Sequence, residues 1–138
     1  MANVTICDKS LWSEFALPAS ASASVTSDKL ILTEGKLGDD GINNYAGDLV
    51  VIIPALTAVI VPDGKTVTVT VEYSDDDFTN IKETVTLATL TGSTGVAKTV
   101  IRYRIPNQFP GNVCRVKVAF GASTTDGSAV KAMAIWEV

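Results

Sequence analysis

The sequence predicts an all-β fold: a single-domain β-sandwich or jelly roll of about eight antiparallel strands over residues 23–138, preceded by an extended N-terminal arm over residues 1–22. Three observations predict it. Almost every periodic segment alternates apolar and polar residues with period two, turn-forming Gly, Pro, Asn and Asp clusters separate those segments, and no long pattern of period 3.6 competes. At 138 residues the chain is long enough to bury about two-thirds of its extended surface, so one core suffices without staples. Charged residues make up 19%, against about 25% in an ordinary soluble domain. That deficit points to surface meant for other protein.

The elements follow in order. Leu11-Trp-Ser-Glu-Phe15, then Pro18 and the small-residue run Ala19 to Ser24, read as an arm, because a turn of helix capped by Ser10 is too brief to stand alone. Ser24 to Thr33 holds Val25 and Leu30-Ile-Leu32, and Gly35 to Gly47 is one long loop. The uninterrupted run Leu49-Val-Val-Ile-Ile53 predicts a strand covered on both faces. After the turn residues Pro62-Asp-Gly-Lys65, Thr66 to Tyr73 places Val67, Val69, Val71 and Tyr73 on one face and Thr66, Thr68, Thr70 and Glu72 on the other. Such a threonine-rich face suits water or a polar partner.

Asn80 to Leu90 predicts strict alternation, with Ile81, Glu83, Val85, Leu87 and Thr89 on one side and Lys82, Thr84, Thr86 and Ala88 on the other. Thr91 to Gly95 supplies a turn. Thr99, Ile101, Tyr103 and Ile105 then oppose Lys98, Val100, Arg102 and Arg104 until Pro106 stops the strand. Past the loop Pro106 to Asn112, Cys114, Val116, Val118 and Phe120 point inward and Val113, Arg115, Lys117 and Ala119 outward. The closing strand, Ser128 to Val138, is fairly apolar on both faces.

Chemistry is largely removed by composition. There is no histidine, which takes away the commonest general base, the Ser-His-Asp and Cys-His constellations and every imidazole-dependent zinc site. A net charge of −4 and a pI near 4.7 argue against nucleic acid and anionic lipid as partners. No basic and apolar leader opens the chain, and the most apolar stretch, Leu49 to Pro62, is too short and too interrupted by Pro54 to span a bilayer, so the expected site of synthesis is a cytosol. Cys7 and Cys114 fit no metal spacing and are expected as reduced, packed thiols. The Asp75-Asp-Asp77 cluster offers oxygen donors but lacks the ligand spacing of a calcium loop, while the loop Gly38 to Asp48, with more oxygen donors and glycines, suits either a cation or simply a mobile loop. No phosphate-cradling glycine pattern is present. No enzyme activity, cofactor or metal is assigned.

Candidate contact residues fall in two groups. Lys98, Arg102, Arg104, Arg115 and Lys117 all face outward and would form one positive patch, suited to an acidic protein surface, if the fold brought them together. Leu11, Trp12 and Phe15 lie on the arm, where apolar and aromatic side chains serve as anchors in a partner's groove. Trp136 is expected in the core. An aromatic platform built from Tyr45, Trp12 or Trp136 would instead indicate a carbohydrate-binding module.

The chain resembles the small jelly-roll cement, or decoration, proteins of tailed double-stranded DNA bacteriophages. The resemblance is carried by the arm with its Ala/Ser-rich run, Leu49 to Ile53, Thr66-Val-Thr-Val-Thr-Val-Glu-Tyr-Ser-Asp-Asp-Asp-Phe78, Val100-Ile-Arg-Tyr-Arg-Ile-Pro106, a loop with Gly111, Cys114-Arg-Val-Lys-Val-Ala-Phe120 and the closing apolar strand. It implies a non-enzymatic virion component, a homotrimer on the capsid exterior whose partner is the major capsid protein. A tail or baseplate subunit shares the same composition. With these expectations goes a further one, that deleting residues 1–22 weakens capsid binding and leaves the sandwich folded.

Overall fold

Nine strands are divided between two antiparallel sheets in the computed structural model, which describes residues 12–32, 47–105 and 110–137. They are β1 (Trp12–Ala16), β2 (Ser24–Thr26), β3 (Leu30–Ile31), β4 (Gly47–Ile53), β5 (Thr66–Ser74), β6 (Glu83–Thr91), β7 (Thr99–Ile105), β8 (Val113–Phe120) and β9 (Lys131–Glu137). Sheet I has the order β1-β9-β4-β7; sheet II has the order β2-β8-β5-β6, with β3 also pairing β8. β2 and β3 thus act as one interrupted strand. Counting them so gives eight strands wound from sheet to sheet in the two Greek keys of a jelly roll.

The alternation seen in sequence positions the core. Leu49, Val51, Ile53, Val67, Val69, Val71, Tyr73, Cys114, Val116 and Val118 are all fully buried between the sheets. Each large aliphatic side chain there contributes about 1.5–3 kcal/mol by leaving water. Trp136 joins them at 1% exposure. The expected placements of Trp136 and Cys114 both hold.

Two segments depart from the sequence reading. Trp12 to Ala16 is extended, but it does not project: it is edge strand β1, in register with β9 from Trp12↔Ile135 to Ala16↔Lys131. Phe15 and Leu17 consequently enter the core, so a deletion through residue 22 would remove an edge strand and two core side chains. Strand β6 departs from strict alternation, because its pairing with β5 passes from Thr70↔Thr86 to Val69↔Ala88 and leaves Leu87 as a bulge. The bulge reverses the phase, so Thr89 faces outward with Thr86, and Leu90 turns in opposite the buried Val67. Thr66–Thr91, Thr68–Thr89 and Thr70–Thr86 then stand as directly opposed pairs.

Backbone hydrogen bonds lace the connections at one end: Leu56 with Val96 in both directions, the Thr125 N–H to the Ile60 oxygen and the Gly127 N–H to the Pro18 oxygen. The apolar segment Ala58 to Val61 lies in this end as a turn, with the Ile60 and Val61 N–H groups donating to the Thr57 oxygen. Val61 is buried and Val59 is 75% exposed.

Candidate interaction surfaces

The five basic residues do not meet. Arg102 and Arg104 lie on β7, on the outer face of sheet I; Arg115 and Lys117 lie on β8, on the outer face of sheet II. The sandwich separates them, so the single positive patch does not form. The arginines are also neutralised where they stand. Arg102 bonds Glu137 at 2.6 Å and approaches Asp48 at 3.6 Å, Arg104 pairs with Asp48, and Arg115 donates to Glu72 at 2.8 Å. Lys98 and Lys117 make no ion pair among the described residues.

Of the arm residues, Leu11, like Cys7 and Tyr45, lies outside the described residues. Trp12 is half-buried on the outer side of β1, and Phe15 is in the core at 9% exposure, where it cannot anchor a partner. With Trp136 also buried, that side chain has no face to stack on a sugar.

The outer face of sheet I is built from alternate residues of four strands, and register fixes its rows. Asp48 stands between Glu137 and Arg104; Trp12, Ile135, Val50 and Arg102 form the next row; Glu14, Met133, Ile52 and Val100 the next. The charges gather at the first row and at the margins of the next two, Arg102 on β7 and Glu14 on β1, and the centres of those rows, Ile135 with Val50 and Met133 with Ile52, are apolar. To reach Glu137 on β9, the Arg102 side chain must cross β4 between them, at the level of Asp48 and Val50. Val50, directly opposite Arg102 in register, is only 2% exposed although it points away from the core. Val100, on the open edge, is 55% exposed. The strand apolar on both faces expected at Leu49 to Ile53 is therefore present.

The outer face of sheet II differs in kind. It carries the three threonine pairs, and at its far end Glu72 stands directly opposite Arg115. The Glu72 side chain is 10% exposed, and the Arg115 guanidinium lies 4.2 Å from the centre of the Phe78 ring. Phe78 is brought there by the corner after β5, where Asp77 and Phe78 both hold positive φ, 58° and 66°. Side chains with a Cβ adopt that conformation only when their surroundings impose it.

The buried Ser74 hydroxyl imposes it here. Ser74 Oγ donates within reach of Asp76 Oδ1 (2.7 Å) and the Asn80 oxygen (2.9 Å), and accepts from the Asp76 and Phe78 N–H groups. Asp76 accepts from the Asn80 N–H (2.9 Å) and the Asn80 side-chain amide (2.7 Å). Those bonds, the backbone one foremost, hold the Asp76 carboxyl down at about 2. Asp75 is lowered by Lys82 and by the Asn112 N–H, and Asp77 pairs with Lys29 at 2.9 Å. All three carboxylates of the cluster are occupied in shaping the corner. Among the described residues no group of three or more Cys, Asp or Glu side chains is placed to hold a metal ion.

Two buried titratable groups sit side by side in register, Tyr73 and Cys114. Burial pushes the Cys114 thiol up to about 12, far from the range of a reactive thiolate. Burial, then the neighbouring Tyr103 hydroxyl, raises Tyr73 well above the usual phenol range. Neither is poised for proton transfer near neutrality.

The sequence did not disclose the Asp48–Arg102–Glu137 clasp, the Ser74 hub or the bulge at Leu87. A signal for the first existed in the alternation of Arg102 and Arg104 on one face, but their partners depend on a register that only the folded sheet sets.

No protein-family model matches this chain, and no curated protein matches it. Among solved structures, a chain in the structure of infectious bursal disease virus, Gx strain, is similar with a TM-score of 0.45 and 13% identity, over 91% of this chain and 30% of that one. This chain therefore spans under a third of that protein. The K1 cleaved adhesin domain of Lys-gingipain from Porphyromonas gingivalis W83 is similar with a TM-score of 0.33 and 16% identity, over 91% of this chain and 80% of that one. Likeness at this level does not bear on function. The class of protein is defined by the strand order itself, a jelly-roll β-sandwich.

Proposed function

We propose that this chain is a non-enzymatic structural component of a virion, a decoration protein that binds the outer surface of a bacteriophage capsid and stabilises the shell. The observation that carries the reading is the outer face of sheet I, where Ile135, Val50, Met133 and Ile52 form an apolar centre and Asp48, Glu137, Arg102 and Arg104 are paired with one another. Those four charges can be buried against protein without being stranded, with Glu14 on the β1 edge left at the polar rim. The jelly-roll order and the sequence resemblance support the same reading and extend it to a homotrimer whose partner is the major capsid protein. Many modest contacts, repeated at every equivalent position of a shell, then add by avidity.

The test is binding of the purified chain to shells assembled without it. The reading predicts saturable co-sedimentation and shells that withstand more heat when decorated. A chain that stays in the supernatant at every concentration contradicts it, and one that binds isolated tails places the protein in the tail or baseplate.

A further inference from the structure

We infer that the patch of shell met by the outer face of sheet I is apolar and uncharged, and that Asp48 is the residue on which recognition of such a patch depends. The inference rests on the decoration reading and adds the chemistry of the partner surface. Two arginines on one exposed strand, Arg102 and Arg104 of β7, would ordinarily point to an acidic partner. Here their charge is answered within the chain.

Asp48 on β4 stands between Glu137 on β9 and Arg104 on β7. Arg104 pairs with Asp48, while Arg102 reaches Glu137 at 2.6 Å and Asp48 at 3.6 Å. Two carboxylates and two guanidiniums thus balance in one cluster. An acidic patch laid over it would press against the two carboxylates, and a basic patch against the two guanidiniums. An uncharged patch opposes neither. Beside the cluster, Ile135 and Val50 and then Met133 and Ile52 fill the centre of the face. Glu14, Lys98 and Lys131 make no ion pair among the described residues, but all three are exposed and lie off that centre, on β1, just before β7 and at the start of β9. Water screens charges at such a rim.

Within the cluster Asp48 has the decisive position. Its side chain is 20% exposed, the least of the four, and it faces both arginines, whereas Glu137 meets only Arg102 among the described residues. Without the Asp48 charge, Arg104 has no carboxylate among the described residues. Docking on an uncharged patch would then bury an unpaired guanidinium, which is strongly unfavourable. Removing Arg104 instead leaves two carboxylates against one guanidinium, with the same consequence in the opposite sign.

The test is co-sedimentation of the full chain with shells assembled without it, using Asp48→Asn, Arg104→Gln and the double variant, in low and high sodium chloride. Each single variant should bind about tenfold or more weakly, and the double variant, balanced again, should bind like the natural chain. Between about 0.1 M and about 1 M salt, where the screening length falls from about 10 Å to about 3 Å, binding of the natural chain should change less than about threefold. Single changes of opposite sign overturn the inference: an acidic shell patch makes Asp48→Asn bind more tightly and Arg104→Gln more weakly, and a basic patch does the reverse. Single variants that bind like the natural chain overturn it as well, and all these outcomes leave the decoration reading intact. A natural chain that binds in no salt contradicts that reading, and the inference falls with it. Circular dichroism checks that each variant folds; if Asp48→Asn does not, Arg104→Gln and the salt profile decide together.

Discussion

Arg102 and Glu137 bond at 2.6 Å although a whole strand, β4, lies between the strands that carry them. The guanidinium bridges β7 and β9 and lies 3.6 Å from Asp48 of β4, and Val50, opposite Arg102 in register, is 2% exposed. Both partners are about half exposed, so the ion pair itself is screened and contributes little. The larger effect expected of Arg102 is cover of Val50 by its aliphatic stem. Arg102→Ala is expected to lower the urea midpoint measurably, Arg102→Met to recover most of the loss, and added salt to change neither much. If Arg102→Met is as damaging as Arg102→Ala, the ionic contact and not the stem is what matters.

Gly111 shows how closely the β7–β8 and β5–β6 connections are packed. A Cβ placed on it would lie 2.8 Å from both the nitrogen and the oxygen of Ser74, backbone atoms that cannot swing aside. The neighbouring Asn112 N–H is bonded to Asp75 at 2.9 Å, so displacement would be felt at the hub. Gly111→Ala is expected to cost about 1–3 kcal/mol in chemical denaturation, the range for overpacking. An unchanged midpoint would mean that the two connections are not held together here.

The same hub makes stability depend on acid. The folded Asp76 carboxyl is held at about 2, below the ordinary aspartate value of about 3.9. A depressed pKa adds stability that is complete above the unfolded value and disappears as pH falls through the folded one. Stability should therefore drop between about pH 4 and about pH 2, and Asp76→Asn, which keeps the shape but not the charge, should flatten that part of the profile. A variant with the same acid slope as the natural chain would exclude Asp76 as a source.

Cys114 is buried, with its thiol pushed up to about 12. In a chain carrying Cys7→Ser, modification by a thiol reagent at neutral pH should be negligible in buffer and complete in denaturant. Rapid labelling of the folded protein would contradict the core position of β8.

The sequence disclosed the strands of the core because their period-two pattern is enforced by burial on one side: Thr66 to Ser74 and Val113 to Phe120 fold as their alternation predicts. It misjudged β6, since a bulge is a local change of phase and a threonine-rich strand reads plausibly in either phase. Only the pairing with β5 shows that Thr84, Thr86, Thr89 and Thr91 all face out. Trp12 to Ala16 misled in another way. A short segment beside an Ala/Ser run carries no long-range information, and its place against β9 is decided by Phe15 and Leu17 entering the core. The contact residues were the least legible. Charge on a strand is visible in sequence, but which sheet bears it, and which carboxylate already holds it, is a property of topology.

The deletion experiment divides accordingly. Removing residues 1–11 leaves β1 in place and tests the arm alone, whereas removing residues 1–22 also takes Phe15 and Leu17 out of the core and is expected to destabilise the sandwich itself.

The most direct measurement is electron microscopy of purified particles bearing this chain and of particles lacking it. Density for a jelly roll of this size, repeated at equivalent positions on the outside of the capsid and missing from the particles without the chain, is the predicted result. Identical shells in the two preparations would contradict the decoration role.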